Sequence, residues 1–371
     1  MLMTKRTLHR LTKLIVEVVL MAQPFVLLTA CQQTDELNQP EPRTQVPLQL
    51  TSGISASVTR AYNTTWETND QIGVFTTAAT TTTITTSGDQ LNSNIPYVIT
   101  TGAETWVNNT SSYKSFAAVD KNIYLPADGS NVDVYGYYPY ASTVSSTVPL
   151  NITIPTAQND ANQQTNLHNC DVLTARTLSA TTPVNVDNTT AQLLFHHVLS
   201  KVLIKLKLGI GVNLSDIQNK VSSVVISGQP TVGTFAPLTQ TLAISTTTGT
   251  NQTITAKTLT SGDPDYEDYV PGGTIHSYCA LVMPNDNITN PTSSSVDVTG
   301  ANANPHILTF IVGDGNITYN YPITYALRSG YQTTFTITFG ALGIKVDAAI
   351  QPWSTDGTTG IIAPEDPYPD E

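Results

Sequence analysis

Val46-Pro47-Leu48-Gln49-Leu50-Thr51-Ser52-Gly53-Ile54-Ser55-Ala56-Ser57-Val58 places Val46, Leu48, Leu50, Ile54, Ala56 and Val58 on even positions and mostly polar residues on odd ones, with Ser52-Gly53 as a break. A period of two marks a strand with one buried face. The same pattern returns in Ser200-Lys201-Val202-Leu203-Ile204-Lys205-Leu206-Lys207-Leu208, where lysines alternate with aliphatics as in a half-exposed strand. Between and beyond these stretches lie further β-prone segments at Tyr97–Thr101, Tyr113–Val119, Val132–Tyr138, Leu150–Ile154, Val221–Ile226, Ile254–Leu259, Tyr278–Met283, His306–Val312, Ile317–Ile323, Gln332–Phe339 and Ile344–Ile350. Gly, Pro and Asn punctuate them, and Asp314-Gly315 reads as a hairpin turn. Residues 76–94 are Thr-rich and read as a surface loop or edge. Leu214–Val221 offers one or two helical turns, and no amphipathic helix of three turns is present. The pattern is that of an all-β chain of sandwiches.

Of the 371 residues, 40% are hydrophobic and 12% charged, enough for two ordinary domains with cores of their own. The formal net charge is −12. Basic residues concentrate in the first 60 positions, so the remainder is more acidic still. Such a surface repels nucleic acid and anionic lipid, and nucleic acid is excluded as a partner.

The amino terminus has an address. Lys5, Arg6, Arg10 and Lys13 precede a mostly apolar run from Leu14 to Leu28, and Leu28-Thr29-Ala30-Cys31 has the form of a lipobox. Residues 1–30 thus read as a lipoprotein signal peptide and Cys31 as the lipidated first residue, which implies a membrane-anchored protein outside the cytoplasm. Residues 31–44 form a polar tether. A polar, Pro-containing stretch around residue 180 divides the rest into 45–180 and 181–371, the latter ending in a short acidic tail. Cys170 and Cys279 read as buried free thiols rather than a disulfide.

No catalytic constellation stands out. His196-His197 sits beside a strand, where adjacent side chains point to opposite faces and do not share a metal. Asp263, Asp265, Glu267 and Asp268 form the densest acidic cluster, but an EF-hand counted from Asp263 has Asp268 and Thr274 where Gly and an acid are needed, so a solvated loop is the expectation. Phosphate-binding and hydrolase motifs are absent. Trp66, Trp106 and Trp353 read as core or rim aromatics, with a sugar platform as the alternative. Neither enzyme activity nor a cofactor is expected.

Taken in order, these landmarks resemble the fimbrillin family, the lipoprotein pilins of type V fimbriae. The resemblance runs through the lipobox, Thr59-Arg60-Ala61, Trp66 with Asp70-Gln71-Ile72-Gly73-Val74-Phe75, Tyr135-Gly136-Tyr137-Tyr138-Pro139-Tyr140, Asp171-Val172-Leu173-Thr174-Ala175, Leu194-Phe195-His196-His197-Val198-Leu199-Ser200-Lys201-Val202 and Ile350-Gln351-Pro352-Trp353. It implies two transthyretin-like β-sandwich domains, 45–180 and 181–371, and an outer-membrane lipoprotein precursor reaching the cell surface. It further implies that a trypsin-like surface protease cuts between Arg60 and Ala61. The strand carrying Val46, Leu48, Leu50, Ile54, Ala56 and Val58 is then displaced, and a strand of another fimbrial subunit, of the same or a tip or anchor type, fills the groove. Two alternatives stand beside a stalk pilin: a tip or accessory adhesin, and a non-polymerising carbohydrate-binding surface lipoprotein. A host glycan or protein ligand, and the identity of the donor segment, stay open.

Overall fold

The computed structural model describes residues 45–54, 66–87, 90–100, 105–107, 111–159, 167, 170–217, 221–261, 263, 265–267, 274–285, 297–299, 307–312, 317–323, 327–340 and 343–352. Cys31, Ala56, Val58, Arg60, Ala61, the leader, the tether and the acidic tail lie outside them. In chain order the strands are β1 (Gln49–Ile54), β2 (Gln71–Ala78), β3 (Thr86–Ser87), β4 (Gln90–Leu91), β5 (Ile95–Ile99), β6 (Thr105–Val107), β7 (Ser111–Ala118), β8 (Val132–Tyr138), β9 (Leu150–Thr153), β10 (Leu173–Thr177) and β11 (Thr190–His197). They continue as β12 (Ser200–Leu208), β13 (Val221–Gln229), β14 (Val232–Ala236), β15 (Thr241–Ile244), β16 (Gln252–Thr255), β17 (Lys257–Thr258), β18 (Thr274–Val282), β19 (Asp297–Thr299), β20 (Ile307–Val312), β21 (Ile317–Pro322), β22 (Tyr331–Gly340) and β23 (Gly343–Pro352). A short helical turn, α1 (Leu214–Ile217), falls where one was expected. The chain is all-β.

The first sheet closes on itself. Its strands follow the order β1-β11-β10-β8-β2-β5-β7, and β7 pairs back onto β1, with β6 attached to β7. Ring closure removes the edges that an open sheet would present. The interior is filled by alternate side chains, among them Ile72, Val74, Tyr97, Val132, Val134, Leu173, Ala175, Ala191, Leu193 and Phe195. Gly73 is required by close approach, since a Cβ there would lie 2.1 Å from Tyr137 Cε1. The Tyr137 hydroxyl donates to Asn94 Oδ1 (2.7 Å) and accepts from the Ala141 amide (3.1 Å). Burial pushes its phenol above the ordinary tyrosine range.

Among the described residues the remaining strands form three larger sheets, β17-β18-β12-β22-β23, β16-β13-β20-β21 and β19-β15-β14-β9, and the two-stranded hairpin β3-β4. One core joins them. Val202, Ile204 and Leu206 of β12 and Phe335, Ile337 and Phe339 of β22 pack with Val224 and Ile226 of β13 and Leu308 of β20. Phe75, Tyr135 and Tyr137, on the outer face of the ring, belong to the same core. Residues 46–371 accordingly form one compact unit. Residue 180 does not separate the sheets. β9 precedes it yet pairs with β14, while β11 follows it yet completes the ring.

Two local expectations are corrected. Thr76 and Thr77 are not loop residues but buried positions of β2, and Thr77 bridges Ile84 at the start of the Thr-rich hairpin. The lysine face of β12 is not solvated. Lys201 is only 1% exposed and pairs with Asp265, Lys205 pairs with Glu267, and Lys257 Nζ lies 2.6 Å from Asp263 Oδ1. The acidic segment is therefore a strap tied to the sheet rather than a free solvated loop, because two lysines of β12 and one of β17, the strands on either side of β18, pair with it. Beneath it Leu203, Leu259 and Cys279 form a small apolar cluster, and burial pushes the Cys279 thiol up to about 11.

The strap has a pH dependence with a definite sign. Burial raises the carboxyls of Asp263 and Glu267, but hydrogen bonds from Lys257 and Thr260 to the first, and from Lys205 and Thr274 to the second, outweigh it and hold both below the usual range. A carboxyl with a depressed folded pKa stabilises above its unfolded value and loses that contribution as pH falls through the folded one. Acidification from neutrality to below about pH 4 is expected to release the strap and expose Cys279, read as faster reaction with 4,4′-dithiodipyridine. Unchanged protection across that window would mean that apolar packing, not ion pairing, holds the strap.

Candidate functional site

The site is the slot occupied by β1. The alternation of residues 46–58 produces a strand, and the strand is held on both edges. Along one edge it runs parallel to β11, from Gln49 opposite Thr190 to Ile54 opposite Phe195. Along the other it is antiparallel to β7, with Leu50, Thr51 and Ser52 opposite Phe116, Ser115 and Lys114. Upstream, the Leu48 amide donates to the Ile123 carbonyl (2.8 Å) and the Leu125 amide to the Val46 carbonyl (2.9 Å). β1 is the one element that joins β11 to β7 among the described residues.

Its inner face carries Leu50, Ser52 and Ile54, exposed by 2%, 0% and 5%, and Leu48 just ahead of it, 4% exposed, continues the same face. Val46 is half-buried at the entrance. Burying the three large aliphatics contributes on the order of several kcal/mol. Trp66 forms the floor, in edge-to-face contact with Phe116 (5.2 Å), Tyr138 (5.6 Å) and Phe195 (5.1 Å). Phe116 and Phe195 belong to the two strands that flank β1, so the tryptophan spans the slot from beneath.

Ser52-Gly53 is not a break: β1 runs through it without interruption. The even-position rule holds at Ser52, where the polarity of the side chain hides it from a hydrophobicity reading. The consequence is a weak point. Ser52 Oγ is buried and has no hydrogen-bond partner among the described residues. An orphaned buried hydroxyl costs about 1–3 kcal/mol. Ser52→Ala is expected to stabilise the intact chain by about 1 kcal/mol, measured by urea denaturation, because it removes that hydroxyl without changing the fit.

The other residues singled out from sequence are distributed rather than assembled. Trp66 lies in the ring core, Trp106 lies in β6, and Trp353 is outside the described residues. His197 Nδ1 is 2.9 Å from Asp171 Oδ1, and both side chains are buried. Cys170 and Cys279 are buried free thiols. No group of three His, Cys, Asp or Glu side chains is placed to hold a metal ion among the described residues.

Comparison with known proteins agrees with this architecture. A family model described as fimbrillin-like matches residues 59–353. A Bacteroides uniformis protein named fimbrium subunit Fim1C is 27% identical over 347 residues, covering 90% of this chain and 93% of its own. Crystal structures described as cell adhesion proteins, from B. uniformis and B. ovatus, share the fold with TM-scores of 0.55 and 0.56. They are 21% and 20% identical, and each alignment covers 85% of this chain and 100% of theirs. Since the family match extends from just beyond β1 to just beyond β23 and takes in every strand but β1, the chain belongs to the fimbrillin-like family.

Proposed function

We propose that this chain is a structural and adhesive fimbrial subunit, exported as a lipoprotein through Cys31, cut between Arg60 and Ala61 at the cell surface, and assembled by strand exchange. The observation that carries this reading is β1 itself, an amino-terminal strand that closes a ring and is paired on both edges. Its removal leaves two unpaired strand edges and an apolar trough, the condition under which a β-sheet recruits a strand from another chain. The ring and the three larger remaining sheets are proposed as the two transthyretin-like domains, and no catalytic role is assigned.

The donor is proposed to be β23 of another copy. It is an edge strand whose even positions are Ile344, Val346, Ala348 and Ile350. The inner face of β1 with the residue ahead of it reads Leu48, Leu50, Ser52 and Ile54, large-large-small-large, and β23 repeats that order with the small residue in the same place. Ala348 at the Ser52 position brings no hydroxyl to be orphaned, which favours the incoming strand over the resident one. Incubation of the purified precursor with a trypsin-like protease should yield SDS-resistant ladders. Arg60→Ala should abolish them, and Val346→Asp should permit cutting but not laddering. A clean monomer after complete cleavage at Arg60 would rule out assembly by this route.

A further inference from the structure

A second site lies on the outer face of the ring and does not depend on strand exchange. A cleft of about 590 Å³ opens between the turn at 80–83 and the end of β10. Its lining includes Asp133 and Tyr135 of β8, Arg176 of β10 and Leu178. Arg176 stands opposite Tyr135 in the β8–β10 ladder, so the guanidinium and the phenol share one face. Arg176 is half-buried, and no carboxylate lies within ion-pair distance of it among the described residues.

The walls of the cleft are built rather than incidental. Asp133, 3% exposed, accepts the Thr80 amide on Oδ2 (2.9 Å) and the Ser179 amide on Oδ1 (2.7 Å), which ties the two walls together from below. Thr80 is held at a φ of +60°, a conformation that a β-branched residue adopts only under constraint. The acidic side chain of the cleft is thus occupied by backbone donors, and the basic one is left facing the opening.

We propose that this cleft binds an acidic sugar, a hexuronic or sialic acid residue, whose carboxylate is held by Arg176. A guanidinium fork matches a carboxylate in a bidentate pair. The threonine hydroxyls of the 80–83 turn offer partners for ring hydroxyls, and Leu178 offers an apolar contact for the C–H face. The volume suits a sugar residue better than a bare inorganic anion, which would leave most of it empty. The strongly acidic chain repels anions in general, so retention here requires the specific pair.

Saturation-transfer NMR on the full chain tests this with N-acetylneuraminic acid and glucuronic acid as probes, and with glucose, N-acetylglucosamine and inorganic phosphate as controls. At least one acid should show transfer at millimolar concentration. Arg176→Gln should weaken it by about tenfold or more, and Arg176→Lys should fall between, since it keeps the charge but not the fork. Thr82→Tyr, which crowds the mouth from an exposed turn, should block binding without touching Arg176. Absence of transfer from both acids, equal transfer from neutral sugars, full displacement by phosphate, or unchanged affinity in Arg176→Gln with native circular dichroism would each overturn the proposal.

Discussion

A chain carrying Thr51→Cys and Gln192→Cys, with Cys31 changed to Ser, is expected to be cut by a trypsin-like protease yet to form no ladders until a reductant is added. Thr51 and Gln192 are register partners in the β1–β11 ladder, and both side chains point away from the ring core. Adjacent strands stand about 4.8 Å apart, within the range over which a disulfide closes without strain. The bond leaves the cut site, the core and the donor strand untouched and acts only on the departure of β1. Ladder formation should therefore switch from absent to normal with reduction alone. Ladders formed by the oxidised protein would show that assembly does not require β1 to leave its slot.

Trp66→Ala is expected to have the largest effect on stability, a loss of about 3–5 kcal/mol. The side chain is 5% exposed and contacts three aromatic rings edge-to-face, each such pair contributing about 0.5–1.5 kcal/mol beyond its buried area. The location matters as much as the magnitude. Because two of those rings belong to β7 and β11, the substitution should loosen the slot more than the rest of the molecule. Hydrogen exchange should then accelerate at residues 48–54 well before it does in β12 and β22. A uniform increase across the chain would indicate a global loss with no special role for the floor of the slot.

Much of this architecture is legible in the residues. Period-two alternation identifies β1 and β12, and β-prone composition with Gly and Pro punctuation marks most of the others. What alternation does not supply is the neighbour. It indicates that residues 46–58 have one buried face, but not that the strand lies parallel to one partner and antiparallel to another. Polar residues on buried faces are the second blind spot: Ser52 reads as an interruption, and Thr76 and Thr77 read as loop. The lysines of β12 are the third. Their alternation correctly implies two distinct faces, yet the face bearing Lys201 is covered by a segment some sixty positions downstream, a pairing that appears only when the carboxylates of Asp265 and Glu267 are seen above it. The division near residue 180 fails as a sheet boundary for a related reason, since composition marks a polar connection but not which sheet the next strand joins. The basis of the Arg176 cleft is also hidden, because the two amides that engage Asp133 are separated from it by about fifty residues on either side.

The pairing of β1 with β11 also constrains how the chain matures. Residue 49 must wait for residue 190 before its ladder exists, and loop closure over such a span is slow compared with the hairpins that form between them. While the six other staves assemble, the amino-terminal segment is left idle, and for that interval the folding chain presents the same vacancy that removal of β1 would leave. Premature capture by a neighbour is the hazard of this design. Under the proposed maturation, a lipid tether that keeps immature subunits apart would guard against this, and the stave inserted last would also be the first to be withdrawn.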